Sequence, residues 1–459
     1  MTNLQTINPS TGKIIKSYKL LSDADINTVL KKATLEQTKW ETTEHKSRAQ
    51  FFFKLAELLK IDKNKYAASI TTEMGKPIVQ ARAEIEKCAW LCEYYAEFSE
   101  QYLQNKIIDT GYKKSYITYK PLGVIVGVMP WNFPFWQVFR FAVPSLMAGN
   151  TVIVKHAENC LGTSELIQEL FIAAGFPEYI FNNVIIDHDQ VNKILSDQRI
   201  AGVSLTGSER AGSAIASTAG KYLKKVVLEL GGNDPYIILA DADLEKAANA
   251  CLASRLTNTG QVCIAAKRLI VEKQVYNQFK KLILERIKNF KIGDPLDESV
   301  KIGPLARADL RDNLHRQVTD SIAAGAVCLV GGKLQSEKES VGNYYPVTVL
   351  EKITNTMPAY SEELFGPVIC LFEAESADHA IEIANDSKYG LAGAVFTNNI
   401  DCGEMIANTR LKVGTAAVNS FVSSDPRLPF GGIKCSGYGR ELGEVGIQEF
   451  VNIKTIILN

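Results

Sequence analysis

Three stretches of this chain carry apolar residues on both faces rather than on one: Gly123-Val-Ile-Val-Gly-Val-Met129, Thr151-Val-Ile-Val-Lys155 and Ile200-Ala-Gly-Val-Ser-Leu-Thr206. A strand of that kind must be covered above and below, which is the condition of a parallel sheet sandwiched between helices. Asn183-Val-Ile-Ile186 adds a further short strand. A helical pattern runs from the second stretch through Ala173, and Gly207-Ser-Glu-Arg-Ala-Gly212 opens another helix. Strands alternating with helices in this way predict a doubly wound α/β domain.

The alternation restarts after Glu229. Pro235–Leu239, a helix over 244–257, Leu269–Val271, a helix over 275–290, and strands at 325–331, 368–372 and 393–396 read as a second α/β unit. Before the first sheet, 22–100 is helical by its three- and four-residue apolar spacing. Gly75 is placed to cap one helix and Pro77 to begin the next. Trp90, Tyr94, Tyr95 and Phe98 on the latter are expected in the core. Lys113–Lys120 alternates as a strand with one wet face, and Glu449–Leu458 reads as a final strand. An end strand needs a partner, and a second copy of the chain is a natural candidate.

At 459 residues the chain exceeds one ordinary core, so two or three domains are expected. A 46% hydrophobic, 22% charged composition is that of a soluble globular protein, and 51 basic against 51 acidic residues argue against a nucleic-acid or membrane-surface role. The start of the chain lacks a signal-peptide pattern and no apolar run suggests a membrane span, so a cytoplasmic location is expected. Nine cysteines and five histidines are dispersed without a CxxC pair or an HExxH, which argues against a metal site and for free thiols in a reducing compartment.

The chemistry gathers around Asn258-Thr-Gly-Gln-Val-Cys-Ile264. A thiol at the lip of a turn, just before a strand, can be partly exposed among backbone N–H donors, so Cys263 is a candidate nucleophile. Taken alone a cysteine is more often an inert core residue. Glu229 ends an apolar strand, where a carboxylate is costly without a task or a partner; Lys224 and Lys225 are the partners at hand. Asn132, in the loop Pro130-Trp-Asn-Phe-Pro134, can donate to a developing oxyanion, although asparagine more commonly just forms turns. Thr206, Gly207 and Ser208 at a strand–helix junction suit a phosphate. Lys155 and Glu158 at a neighbouring strand end can hold the hydroxyls of an adenosine ribose, or form a plain surface salt bridge. A carboxylate there would repel a 2′-phosphate, favouring NAD over NADP. Arg140, among aromatic and aliphatic neighbours, seeks either an internal carboxylate or that of a substrate.

Glu73-Met-Gly-Lys-Pro77, Pro130-Trp-Asn-Phe-Pro134, Lys155-His-Ala-Glu158, Thr206-Gly-Ser208, Leu228-Glu-Leu-Gly-Gly232, Gly260-Gln-Val-Cys263, Glu363-Leu-Phe-Gly-Pro367 and Pro429–Arg440 together resemble the aldehyde dehydrogenases over essentially the whole length. Within that family the chain is similar to the short bacterial succinate-semialdehyde dehydrogenases, notably in Lys-His-Ala and Trp136-Gln-Val-Phe-Arg140. The resemblance implies a thiohemiacetal and then a thioester on Cys263, an oxyanion held by Asn132 and the Cys263 N–H, and water activated by Glu229. It implies Trp131, Glu363 and Phe365 at the cofactor, and Trp136, Arg140 and Ser424 at the substrate. Three departures stand out. Thr257 replaces an arginine that some relatives carry six residues before the nucleophile. Ala265 replaces a second cysteine, so a regulatory disulfide there is not expected. Glu158 stands where several NADP-preferring relatives have a small residue.

The expectation is an α/β enzyme with an aldehyde-dehydrogenase-like fold. A Rossmann-type NAD(P)-binding domain spans 1–112 and 123–229, and a catalytic domain 230–430. A β arm for homodimer or homotetramer assembly uses 113–122 and 447–459, and 431–446 returns to the cofactor domain. The expected reaction is NAD(P)-dependent oxidation of succinate semialdehyde or a similar carboxylated aldehyde, with NAD preferred and NADP possible. The rivals are a dehydrogenase of neutral aliphatic aldehydes and, from another class, a cysteine-dependent esterase. Acyl transfer to coenzyme A is disfavoured by Glu229, and a silent structural role by the presence of thiol, base and oxyanion donor together.

Overall fold

The computed structural model describes residues 3–334 and 341–459. Two sheets organise them. The first has the strand order 437–438, 225–229, 200–206, 124–128, 151–155 and 181–183, all parallel except the two-residue edge. Its strands bury Val124, Ile125, Val126, Val152, Ile153 and Val203, as their two-sided apolar pattern requires. Each such side chain contributes roughly 1.5–3 kcal/mol when fully buried. The second sheet runs 327–330, 348–351, 368–374, 268–272, 235–238, 392–396 and 415–418, with only its first pair antiparallel.

The register brings the strand ends of the first sheet into one row. Val128 lies beside Lys155 on one side and Leu205 on the other, and Thr206 beside Glu229. These are carboxyl ends, the edge at which open α/β sheets bind ligands. From Glu229 the chain passes through Leu230–Asp234 into Pro235 of the second sheet, so the two sheets meet at this edge.

Helices Asp23–Trp40, His45–Ile61, Lys63–Met74 and Ile78–Tyr102 precede the first sheet. Gly75 ends the third with φ +79°, the left-handed C-cap that a Cβ would strain, and Pro77 sits at the N-cap of the fourth. Tyr94 and Tyr95 are buried as expected. Trp90 and Phe98 are not: they lie on the wet side of the same helix, Trp90 under the Arg427 guanidinium at 5.4 Å and Phe98 against Tyr94 at 5.1 Å.

Other departures are local. The strand expected over 183–186 is Phe181–Asn183, because the chain leaves the sheet edge, where only one neighbour pairs with it, after Val184 bonds to Val154. The helix expected to start at 275 starts at Lys273 and tightens into a 3₁₀ turn over 287–289. A polar hairpin, Asn3–Ile7 with Ile14–Lys19, and strands Thr348–Glu351 and Thr415–Val418 were not foreseen. The last strand, Val451–Leu458, finds its partner inside the chain rather than in a second copy: it pairs antiparallel with Lys114–Pro121 from Val451↔Pro121 to Leu458↔Lys114. No helix among the described residues is long and apolar enough to cross a membrane.

Candidate active site

Cys263 follows a turn that ordinary residues rarely make. Asn258, Thr259 and Gly260 have φ of 51°, 57° and 76° in succession. Such a run persists only where its surroundings fix it. Asn258 Nδ2 donates to the Asn132 carbonyl at 2.8 Å, Gln261 Nε2 to the Asn258 carbonyl at 3.1 Å, and the Ala306 N–H to Gln261 Oε1 at 2.9 Å. A Cβ on Gly260 would run into the Gly366 carbonyl, so only glycine permits this approach. Arg255, fully buried, donates to the carbonyls of Gly260, Leu364 and Val368. The turn before Cys263 is thereby bolted to the segment that carries Glu363 and Phe365.

The Cys263 side chain is partly exposed and lines a cavity of about 340 Å³. Burial pushes its thiol up to about 12; the charges of Arg140 and Lys267 pull the other way. Without ligand the sulfur is therefore a neutral thiol near pH 7. Lys267 Nζ donates to the carbonyls of Val262 and Cys263 and pairs with Glu363 at 3.0 Å. Glu363 also accepts the Gly232 N–H at 3.2 Å.

Asn132 is buried in the proline-clamped loop, and its Nδ2 donates to the Gln261 carbonyl at 3.0 Å. One N–H of that amide fixes it beside the nucleophile turn; the second remains for a ligand. Glu229 is 2% exposed, and neither carboxylate oxygen has a hydrogen-bond partner among the described residues. The partners suggested by sequence are engaged elsewhere. Lys224 donates to the carbonyls of Asp197 and Ile200, and Lys225 pairs with Glu449. Burial pushes the Glu229 carboxyl well above its ordinary range, opposed by Arg140 and reinforced by Glu441.

Of the two anions open to Arg140, the internal one takes it. Its Nε is in a buried ion pair with Glu441, Nη2 donates to Thr206 Oγ at 3.4 Å, and the guanidinium lies over the Phe430 ring at 4.6 Å. Arg140, Trp136 and Ser424 nonetheless line the same cavity as Cys263.

A second hollow, an open cleft of about 520 Å³, is lined by Ser208, Glu209, Arg210, Ser213, Gly231, Glu363 and Tyr389. Ser208 caps the helix Glu209–Lys221, accepting the Ala211 N–H, and Gly207 donates its N–H to the Glu229 carbonyl. Lys155 is buried at its strand end with Glu158 at 3.9 Å, the latter half exposed. Trp131 and Phe365 meet edge to face at 5.7 Å. A helix N-terminus, a Lys–Glu pair and an aromatic corner are groups of the kind that bind a pyrophosphate, a ribose and a flat ring.

Sequence reasoning missed several residues that shape this site: Lys76, Glu84, Lys87, Arg255, Lys267 and Glu441. Glu84 had a signal. It falls on the apolar face with Ala81, Ile85 and Cys88, where a charge demands a partner. That partner is Lys76, in an ion pair with both side chains 1% exposed.

The aldehyde dehydrogenase family profile matches residues 1–456. A succinate semialdehyde dehydrogenase [NAD(P)+] of Escherichia coli K12 is 44% identical over 455 residues, 99% of this chain and 98% of that protein. A succinate-semialdehyde dehydrogenase [NADP(+)] of Mycobacterium avium is 42% identical over 457 residues, 99% of this chain and 96% of that one. The crystal structure of succinic semialdehyde dehydrogenase from Streptococcus pyogenes with NADP+ superposes with a TM-score of 0.97 at 38% identity, covering 99% of this chain and 100% of that one. The chain belongs to the aldehyde dehydrogenase family.

Proposed function

We propose that the protein oxidises succinate semialdehyde, or a close ω-carboxylated aldehyde, to the acid with NAD or NADP. The observation that carries this reading is Cys263 on the wall of a mainly apolar cavity that also holds Arg140, Trp136 and Ser424. Cys263 Sγ gives its proton to water and adds to the aldehyde carbon, whose C=O π electrons move to oxygen, forming a thiohemiacetal. The free N–H of Asn132 Nδ2 and the Cys263 N–H hold the resulting oxyanion. Ser208, Lys155, Glu158, Trp131, Glu363 and Phe365 bind and orient the dinucleotide, with Thr206 and Gly207 shaping the turn beneath it. When bound, the nicotinamide supplies a hydride acceptor, which leaves a thioester on Cys263. Glu229, buried and without a hydrogen-bond partner among the described residues, takes a proton from water as that water attacks the thioester carbon and the C–S bond breaks, releasing the carboxylate and returning the thiol.

Residues 1–112, 123–229 and 431–446 serve as the cofactor domain in this reading, and 230–430 as the catalytic domain. The sheet formed by 114–121 and 451–458 is the arm through which copies assemble into a dimer or tetramer; its exposed Ile453, Ile457 and Leu458 support that use. Nine free cysteines suit a reducing cytoplasm.

Initial rates for succinate semialdehyde and butanal, each with NAD and NADP, test the reading. The expected result is a kcat/KM for the carboxylated aldehyde at least about tenfold higher. Equal or inverted preference would return the assignment to neutral aldehydes, and aldehyde-independent ester hydrolysis with no reduced cofactor would favour the esterase. Glu158→Ser tests the ribose pocket separately. Removing that carboxylate should raise the NADP/NAD ratio of kcat/KM about tenfold, since it no longer repels a 2′-phosphate. An unaltered ratio would remove Glu158 from the cofactor site.

A further inference from the structure

Lys267 is buried, and all three donors of its ammonium are spent close to the nucleophile. Nζ donates to the Val262 carbonyl at 3.0 Å and to the Cys263 carbonyl at 2.5 Å, and it pairs with Glu363 Oε1 at 3.0 Å. A buried cation needs the last of these contacts as its counter-charge. The other two have a different meaning. They belong to the peptide units on either side of the Cys263 Cα, so a single ammonium fixes both planes from which the thiol projects. Glu363 is itself held by the Gly232 N–H at 3.2 Å, which gives the ammonium a fixed partner.

The Val262 carbonyl and the Cys263 N–H are the two ends of one peptide unit, which is trans. In a planar trans unit they point in opposite directions. A cation held on the carbonyl therefore turns the N–H away from itself. That N–H donates to no group among the described residues. Asn132 Nδ2 likewise keeps one N–H beyond its bond to the Gln261 carbonyl. A hydrogen bond at the carbonyl also polarises the amide: density drawn toward oxygen leaves the N–H a stronger donor, and the effect grows in a low-dielectric wall. The Ala265 N–H, 3.2 Å from the same Val262 oxygen, pulls in the same sense.

Resting on the reading of the Cys263 N–H as an oxyanion donor, we propose that Lys267 is the positioning residue that aims and polarises this N–H by gripping the carbonyl of the same peptide unit. It acts through the backbone and touches neither the aldehyde nor the dinucleotide. Its charge also draws the Cys263 thiol downward, after that of Arg140 and against the larger effect of burial. The two influences act on different steps: one on the supply of thiolate, the other on the oxyanion that forms when the thiolate adds to a carbonyl. A measurement that cancels the first isolates the second.

The test compares two reactions of Cys263 that need no dinucleotide. Iodoacetamide alkylates the thiolate, which displaces iodide from an sp³ carbon and builds up no oxyanion. p-Nitrophenyl acetate acylates it: the thiolate adds to the ester carbonyl, the π pair moves to oxygen, and its return expels p-nitrophenolate. Both rates scale with the fraction of thiolate, so the ratio of acylation to alkylation cancels any change in ionisation and leaves the oxyanion contribution. Lys267→Met should lower this ratio about tenfold, and Asn132→Ala, which removes a donor outright, about 100-fold. Lys267→Gln keeps neutral donors near the carbonyls and should lower the ratio about threefold, which keeps the test readable if the Met variant does not fold. A parental ratio in the Lys267 variants, whether both reactions keep their pace or slow alike, overturns the assignment and reduces Lys267 to the counter-ion of Glu363. A parental ratio in Asn132→Ala overturns the oxyanion reading itself, and the role of Lys267 with it.

Discussion

Cys263→Ala will stop reduced dinucleotide from appearing with every aldehyde the unaltered chain oxidises, a loss of roughly 10⁴-fold or more in kcat/KM. The reason is that nothing else can take over the covalent step. Cys88, Cys92, Cys160, Cys251 and Cys370 are sealed in the core, and none of them lines the cavity. Cys328, Cys402 and Cys435 have some exposure, but none of them lines the cavity. The Sγ of Cys263 makes no hydrogen bond among the described residues that alanine would break: the turn is held by Asn258, Gln261, Arg255 and Lys267 through backbone groups. The variant should therefore keep its melting temperature, and parental turnover in it would end the covalent mechanism.

The same thiol carries a pH signature. Because burial raises it to about 12 in the free protein, the reactive thiolate is a small fraction that grows with pH. Alkylation of Cys263 by iodoacetamide, followed on its own peptide by mass spectrometry, should accelerate about tenfold per pH unit from about pH 7 to 10. A plateau near neutrality would mean that Arg140 and Lys267 stabilise the thiolate more than their surroundings suggest.

Much of this was legible in the chain, and the illegible parts share a cause. Two-sided apolar strands announce a parallel sheet by themselves, and register then forces Lys155, Thr206 and Glu229 into one row at its carboxyl edge. Cys263, Asn132 and Glu229 could be singled out because each residue type has an intrinsic chemical reason to stand in a turn or strand end. What was hidden is pairing across long sequence separations. Whether Arg140 meets a substrate or Glu441 depends on the return of the 437–441 segment to the first sheet, about which residues near Arg140 say nothing. Lys87 and Ser424 are likewise joined across the fold. The short strands at 348–351 and 415–418 were invisible for a related reason: four residues carry little periodicity of their own, and their place is fixed by the neighbours they pair with, two for the first and one for the second.

Glu84→Gln will destabilise the protein by about 3–5 kcal/mol, as expected when one partner of a buried ion pair is lost. Glu84 has two duties. One oxygen pairs with Lys76; the other accepts the N–H groups of Phe135 and Trp136 at 2.9 and 3.0 Å, the orphan donors at the start of the helix Trp136–Met147. Glutamine keeps an oxygen for those donors but leaves the Lys76 ammonium, which also lies over Phe133 at 3.6 Å, without a counter-charge. The double variant Lys76→Met with Glu84→Gln removes the unpaired charge and should recover most of the loss, because an apolar side chain of similar size satisfies the same space. Thermal midpoints of the two single variants and the double one measure this coupling. Additive losses would show that Glu84 acts through the helix start alone. Either way the loop Pro130–Pro134 ends where Glu84 grips, so the helix carrying Glu84 and Lys87 both bounds the substrate cavity and sets the position of Asn132. In the proposed reaction a single element would thus both bound the chamber that Cys263 lines and position Asn132.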